Sequence, residues 1–320
     1  MMYDRQEALD LSRCRVALIV NGKAGKRDAQ DRLHKIRTTL EPVVGELMLC
    51  PVRKGAEIAP AARAAVAQGA DVVAALGGDG TQAAVAGALV NSGAAMAVLP
   101  GGTFNYFARE LGVETMDQAL DALMRGQVLA RDVGQINDRI FLNNASIGLY
   151  PHILASRETI YRRWGRSRVA AYWSVLVGLR NLRRPMRLQV ASEGELREFV
   201  TPMAFVARSA FQLESLGLDG AEAVRNGQFA LFVARGQSRR ALIAASVRLA
   251  MGRMARGEDF DLVVADGFQI QTTQKRKRVA LDGEQGRLSA PLSLQVLRGA
   301  LRVIAPVDTA KAALAGTPAV

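Results

Sequence analysis

Three hundred and twenty residues, at roughly 150 per domain, point to two domains with a sizeable core each. Apolar residues make up 49% and charged residues 22%, an ordinary globular composition that excludes wholesale disorder. Lysine and arginine total 42 against 30 acids, a net charge of +12; this suits an anionic partner such as nucleic acid, an anionic lipid surface or a phosphorylated substrate, with a basic solubilising surface as the bland alternative. Cys14 and Cys50 are too few for a secreted disulfide framework, so a reducing cytosol is expected. Met1 to Arg15 mixes acids and bases around no apolar core, and Val169 to Leu179, the best apolar run, falls short of the roughly 18 residues a span needs, so neither a signal peptide nor a transmembrane helix is expected.

In chain order, Arg15 to Val20 reads as a buried strand, followed by a turn at Asn21-Gly22 and a helix over Asp28 to Leu40. Val43 to Cys50 is a second strand, Ala56 to Gln68 a second helix and Asp71 to Leu76 a third strand ending at Gly77-Gly78. A helix over Thr81 to Val90 precedes the strand Ala94 to Leu99, which stops at Pro100-Gly101-Gly102. Strands alternating with helices imply parallel βαβ units in an open α/β sheet. From Arg131 the rhythm changes to short strands: Val128 to Ile136, Arg139 to Asn144, Leu188 to Ala191, Phe199 to Ala207, Phe229 to Ala234, Leu262 to Ala265, Phe268 to Thr272, Arg278 to Leu281, Leu292 to Leu297 and Leu301 to Ile304. Such spacing predicts a largely antiparallel second domain, interrupted by helical insertions over His152 to Arg184 and Gln237 to Arg256. The expected division is 1–130, 131–307 and a frayed, Ala-rich tail over 308–320.

The sharpest local feature is Gly77-Gly78-Asp79-Gly80-Thr81 between a strand and a helix. Glycines there let backbone N–H groups approach a phosphate at a helix amino terminus, with Asp79 placed to hold Mg²⁺ through water and Thr81 to donate its hydroxyl. A strand-to-helix turn that needs glycine for geometry and Asp as a cap explains the same residues equally well. Gly25-Lys26-Arg27 lacks the spacing of a Walker A loop, and no acid lies between Asp79 and Glu110, where a dinucleotide fingerprint wants one. One βα unit later, Leu99-Pro-Gly-Gly-Thr-Phe-Asn-Tyr-Phe-Ala-Arg-Glu-Leu-Gly112 brings Gly101, Gly102, Thr103 and Asn105 to the carboxyl end of the next strand, where open sheets gather ligands. Far along the chain, Ala280-Leu-Asp-Gly-Glu284 carries two acids around a glycine: either an acid that takes the proton of an attacking hydroxyl, or a polar hairpin turn.

Together these motifs resemble the diacylglycerol kinase catalytic family, which includes bacterial lipid kinases, sphingosine kinases and ceramide kinases. Asn21-Gly-Lys-Ala-Gly25 resembles its opening Asn-Pro-x-Ser-Gly loop; Gly77 to Thr81 matches Gly-Gly-Asp-Gly-Thr unchanged; Thr103-Phe-Asn105 with Phe-Ala-Arg resembles Gly-Thr-x-Asn-x-Phe-Ala-Arg. Asp282-Gly-Glu284 matches the acidic motif, and Asn143 to Tyr150 the stretch opening the second domain. The resemblance implies an α/β nucleotide domain, a β-sandwich-like domain, an active site between them, and transfer of the γ-phosphate of ATP to a lipid hydroxyl. It would make Asn21, Gly25, Gly77, Gly78, Asp79, Gly80, Thr81, Gly102, Thr103 and Asn105 the nucleotide contacts, Asp79 the Mg²⁺-side acid and Asp282 with Glu284 the source of the general base. The sequence departs from the family at Pro51-Val-Arg-Lys54, where relatives often carry a nucleotide-contacting Thr, and at Tyr106. It departs again at Arg225-Asn226-Gly227, which replaces an Asp-Asp-Gly turn linked to a structural Mg²⁺; Asp219 or Glu222 is the candidate compensating ligand. A small-molecule kinase of the NAD kinase type and a catalytically degenerate nucleotide- or lipid-binding regulator are the alternatives.

Residues 157–187 hold nine arginines, one acid, both tryptophans, Tyr161 and Tyr172. This pattern fits an interfacial helix drawn to anionic lipid, or a helix packed on the second domain with a solvated basic face. Peripheral association with the inner face of the membrane is therefore expected. No zinc spacing or RNP-like strand supports a nucleic-acid partner, and a homodimer is left open.

Overall fold

The computed structural model describes residues 8–21, 26–148, 185–236, 238–250 and 256–309. Two compact units emerge: residues 1–133 with 297–320, and residues 134–296.

The first unit is built from β1 (Arg15–Asn21), α1 (Lys26–Leu40), β2 (Glu46–Val52), α2 (Ile58–Ala67), β3 (Val72–Gly77), α3 (Asp79–Leu89), β4 (Ala95–Pro100), α4 (Tyr106–Glu110) and α5 (Met116–Arg125). Its strands run parallel in the order β2-β1-β3-β4. Val16 to Ile19, Val72 to Leu76 and Ala95 to Pro100 are buried on both faces. That is why they read as continuous apolar runs rather than alternating ones. Hydrogen bonds fix the ends: Asp71 accepts from the Arg15 N–H at 2.8 Å, and Thr115 caps α5 in a capping box with Gln118.

The second unit holds most of β5 to β16. These are β5 (Gln127–Ile136), β6 (Arg139–Phe141), β7 (Asn144–Gly148), β8 (Met186–Ser192), β9 (Glu195–Thr201), β10 (Met203–Ala207), β11 (Phe229–Ala234), β12 (Phe260–Ala265), β13 (Gly267–Thr272), β14 (Arg276–Leu281), β15 (Glu284–Ser289) and β16 (Leu292–Ala305). One antiparallel sheet is ordered β12-β11-β10-β7-β14-β15; a second runs β16-β13-β8-β9. Period-two alternation decides what each face buries. Ala204 and Val206 of β10, with Phe229, Leu231 and Val233 of β11, enter the core shared with Leu188, Ile270 and Leu294 of the other sheet. Their neighbours Phe205, Ala207, Ala230 and Phe232 turn outward and pack beneath the helices Ala210–Ser215 and Ala221–Arg225.

Several expectations shift. β16 is one strand where two were expected, and beyond residue 296 it joins the first unit, Arg302 and Val303 lying parallel to Ala95 and Met96. The expected second domain of 131–307 therefore stops earlier. Val43 to Gly45 form a turn ahead of β2, held by N–H groups of Val43 and Val44 on Leu40 O. Phe199 to Ala207 is two strands that meet at Pro202, which lacks the N–H a continuous ladder needs. The expected frayed tail begins ordered: residues 307–309 are helical and Thr309 is buried against Gly112. The helical insertion expected over 152–184 and residues 310–320 lie outside the described residues. Among the described residues no helix is long and apolar enough to cross a membrane.

Phe229 is fully buried, with ring centroids 5.8 Å from Phe141 and 6.3 Å from Phe268. Phe229→Ala is expected to lower unfolding free energy by about 3–5 kcal/mol in urea titrations, because the cavity forms between two sheets that cannot collapse onto it.

Candidate active site

β3 and β4 are parallel neighbours in which Gly77 lies opposite Pro100, so their carboxyl ends deliver two loops to one edge of the sheet. The loops approach each other backbone to backbone. Gly101 N–H donates to Gly77 O at 2.9 Å. A Cβ added at Gly102 would lie 2.5 Å from Gly78 Cα, and one at Gly77 would lie 2.4 Å from Thr81 Oγ1. Gly102 is thus demanded by contact with the other loop and Gly77 by the packing of Thr81 within its own, before any ligand enters the argument.

Asn105 knots the second loop. Its φ is +50°, its Oδ1 accepts from Gly102 N–H at 2.9 Å, and its Nδ2 donates to Gly102 O at 3.0 Å. Asn tolerates this left-handed conformation because its short amide bonds the local backbone. The Asn105 backbone N–H donates to Asp79 Oδ2 at 2.9 Å, which ties the loop after β4 to the first residue of α3. Burial raises the Asp79 carboxyl above its ordinary value of 3.8, against hydrogen bonds from the backbone of Tyr106, Phe107, Asn105 and Asp79 itself, which favour the charged form. Asp79 is first of all a clasp between the two loops.

The other expected nucleotide contacts separate by exposure. Gly102 and Thr103 are exposed and Gly77, Gly78 and Gly80 half-buried, whereas Thr81 is buried with its side chain against Gly77. Thr81 therefore belongs to the packing under the loop. Asn21 ends β1, the strand beside β3, and so reaches the same edge; Gly25 lies outside the described residues. The divergent Arg53-Lys54 pair follows β2 at this edge, both backbone N–H groups donating to Glu57 Oε2 at 2.8 and 3.2 Å. A group that sequence reasoning missed is Gln82. It is fully buried, and its Nε2 donates to Gly77 O at 3.2 Å; a polar residue at the inward helix position after the glycine run is the signal that marks it. The exposed Gly102 and Thr103, beside the amino terminus of α3, suit a phosphate chain. One carboxylate is enough beside a nucleotide whose Mg²⁺ is held mainly by phosphate oxygens and water.

In the second unit, Asp282 (φ +47°) and Gly283 (φ +85°) form the two-residue turn joining β14 to β15, the Asp-Gly hairpin chemistry expected of such loops. Asp282 is buried. Its Oδ2 accepts from Leu142 N–H at 2.7 Å, and its Oδ1 from Asn143 and Asn144 N–H at 2.7 and 3.0 Å. Asn144 in turn donates from Nδ2 to Gln212 Oε1 at 3.0 Å. The two acids of the motif are thereby set apart: Asp282 is committed to two amides of the loop before β7 and to the first amide of β7 itself, while Glu284 is exposed.

The structural metal site implied for Asp219 does not fit. Asp219 is exposed, and no group of three potential ligands gathers among the described residues. Arg225, the first residue of the divergent turn, forms an ion pair with Glu214, so a fixed guanidinium stands where the resemblance places a cation. The basic-aromatic stretch expected to meet lipid falls outside the described residues over 157–184; its end, Met186 and Arg187, opens β8.

Two outcomes are expected. Because the native Asp79 pKa is raised, its contribution to stability is complete below the unfolded value and is lost as pH rises through the native value. The unfolding free energy of Asp79→Asn, measured in urea at several pH values, should lack that decline, and a pH-independent difference from wild type would refute the assignment. Chelation by EDTA should leave the thermal midpoint of the ligand-free protein unchanged, whereas Arg225→Ala should lower it.

Residues 15–136 match the diacylglycerol kinase catalytic domain. The chain is 24% identical to the diacylglycerol kinase of Bacillus subtilis (strain 168), over 85% of this chain and 90% of that one. It is 34% identical to the "Probable lipid kinase YegS-like" of Enterobacter sp. (strain 638), over 41% of this chain and 45% of that protein. The fold is shared with a solved diacylglycerol kinase from Bacillus anthracis str. Sterne, at a TM-score of 0.67 and 22% identity, covering 91% of this chain and 96% of that one. Residues 15–136 are thus a diacylglycerol kinase catalytic domain, and the protein that carries it is a phosphotransferase of the lipid-kinase class.

Proposed function

We propose that this protein transfers the γ-phosphate of ATP to the hydroxyl of a diacylglycerol-like or sphingoid/ceramide-like lipid at the membrane surface. The observation that carries the reading is the pair of interlocked glycine loops at the carboxyl edge of the parallel sheet, closed by Asp79 and Asn105. Phosphoryl transfer asks for positioning and charge neutralisation more than for covalent chemistry. The exposed Gly102-Thr103 segment, the amino terminus of α3 and Asn21 hold the phosphate chain, and Asp79 keeps the two loops in register. Bound with the nucleotide, Mg²⁺ supplies neutralisation of phosphate charge. The lipid hydroxyl oxygen forms a bond to the γ-phosphorus, the bond from that phosphorus to the bridging oxygen breaks, and ADP leaves. Glu284 takes the hydroxyl proton, since its carboxylate is exposed while that of Asp282 is occupied by backbone amides.

The reading is tested by phosphate transfer from γ-labelled ATP with Mg²⁺ into detergent-dispersed diacylglycerol, monoacylglycerol, phosphatidylglycerol, sphingosine and ceramide, with NAD as a control. Label in one lipid class is expected; label in NADP, or none in any lipid, would overturn it. Glu284→Gln is expected to slow turnover by about 10²-fold or more with little change in nucleotide affinity. Asp282→Asn should instead lower thermal stability, because the N–H groups of Leu142, Asn143 and Asn144 lose their charged acceptor. Unchanged turnover in Glu284→Gln would move the proton acceptor elsewhere.

A further inference from the structure

The hairpin that carries the Asp-Gly-Glu turn carries a second feature at its other end. Arg276 lies opposite Ser289 and Arg278 directly opposite Arg287. Val279 is buried and Leu281 packs on the inter-sheet core, so alternation sends Arg276, Arg278 and Arg287 to the other face of the hairpin. Lys277 belongs to the core side. It lies opposite the buried Leu288, and burial holds its amine below the ordinary lysine value. Arg276 and Arg287 are exposed, as is Lys275 just before the strand. Exposed like charges on one face, here Arg276 and Arg287 with Lys275 beside them, are stabilised when an anion lies over them. Among the described residues no carboxylate pairs with Arg276 or Arg287.

We propose that this arginine face of β14 and β15, formed by Arg276, Arg278 and Arg287 with Lys275 beside it, docks on anionic phospholipid headgroups. This rests on the lipid-kinase reading for its choice of partner. The chain's +12 charge supplies long-range attraction to such a surface, and each cation near it adds to binding in a salt-sensitive way. Guanidinium forks bind phosphodiester oxygens in pairs, which suits arginine better than lysine for the contact. Three register steps, about 10 Å at strand spacing, separate the Arg278–Arg287 pair from the Leu281–Glu284 pair that flanks the acid turn. One rigid two-stranded element therefore carries both a headgroup contact and the acid proposed to meet the lipid hydroxyl. Docking at one end sets the height of the other above the surface.

The test compares wild type, R276E/R287E and R276K/R287K in co-sedimentation with vesicles of phosphatidylcholine alone or mixed with phosphatidylglycerol. Folding is checked by circular dichroism melting. Wild type should sediment with the anionic vesicles only and be released by salt; the charge reversal should weaken partitioning about tenfold or more, and the lysine variant should lose much less. Lipid phosphorylation in neutral detergent micelles should stay within about twofold of wild type in both variants, since micelles carry no anionic surface. Undiminished anionic-vesicle binding by R276E/R287E, or equal binding of wild type to phosphatidylcholine, would overturn the proposal. So would a wild type that ignores vesicles and binds an oligonucleotide through these arginines. If the vesicle results come out as expected while no lipid is phosphorylated in micelles, the docking face stands and the kinase reading falls.

Discussion

Everything in the first unit that bears on nucleotide chemistry depends on the backbone contact between two glycine pairs. Gly77-Gly78 and Gly101-Gly102 lie so close that a single added Cβ would collide with the opposite chain. Such an approach removes the side chains that would otherwise fill the sheet edge and leaves main-chain dipoles there instead. It also has to be held together, since glycine contributes nothing to its own ordering and loses much conformational entropy on folding. Asp79 and Asn105 hold it, one through its carboxylate and the other through its amide and backbone. The two most conspicuous polar side chains of the motifs therefore work on the loops themselves, and the exposed edge between them is made largely of backbone.

The same logic recurs in the second unit. Asp282 folds the loop before β7 onto the β14–β15 turn, and Glu284 is left at the surface. A motif with two acids has one that builds and one left at the surface, and burial with hydrogen-bond occupancy tells them apart. Arg225 with Glu214 follows the pattern with opposite charges: an ion pair within the protein gives local order that does not depend on an ion from solution.

Much of this was legible in the sequence, for identifiable reasons. β1, β3 and β4 are buried on both faces, so their apolar runs stand out, and the glycines that stop them mark the sheet edge. The antiparallel unit showed itself through short, closely spaced apolar runs where both faces are covered, as in β10 and β11. β15 stayed invisible because Glu284-Gln285-Gly286-Arg287 is exposed throughout and only Leu288 reaches the core. Helix α5 is missing from the expected elements although its signal is present: Ala119, Leu120 and Leu123 line one face behind the Thr115–Gln118 cap. Of the site, the residue types were readable and their tasks were not. Whether Asp79, Asp282 or Thr81 faces a ligand or a neighbouring loop depends on contacts between segments far apart in sequence, such as Asp282 with Leu142. No spacing rule encodes these.

The passage of the chain between the units within strands has a consequence for synthesis. β16 crosses at residue 296, and its last part pairs with β4, so the sheet that presents the glycine loops gains that strand only after the second unit has been made. The second unit, drawn from one continuous stretch, is complete in sequence before the first. A ribosome-bound chain can thus assemble its antiparallel sandwich while the nucleotide-side sheet still exposes the flank of β4. The last part of β16 then serves as the closing piece of the first unit.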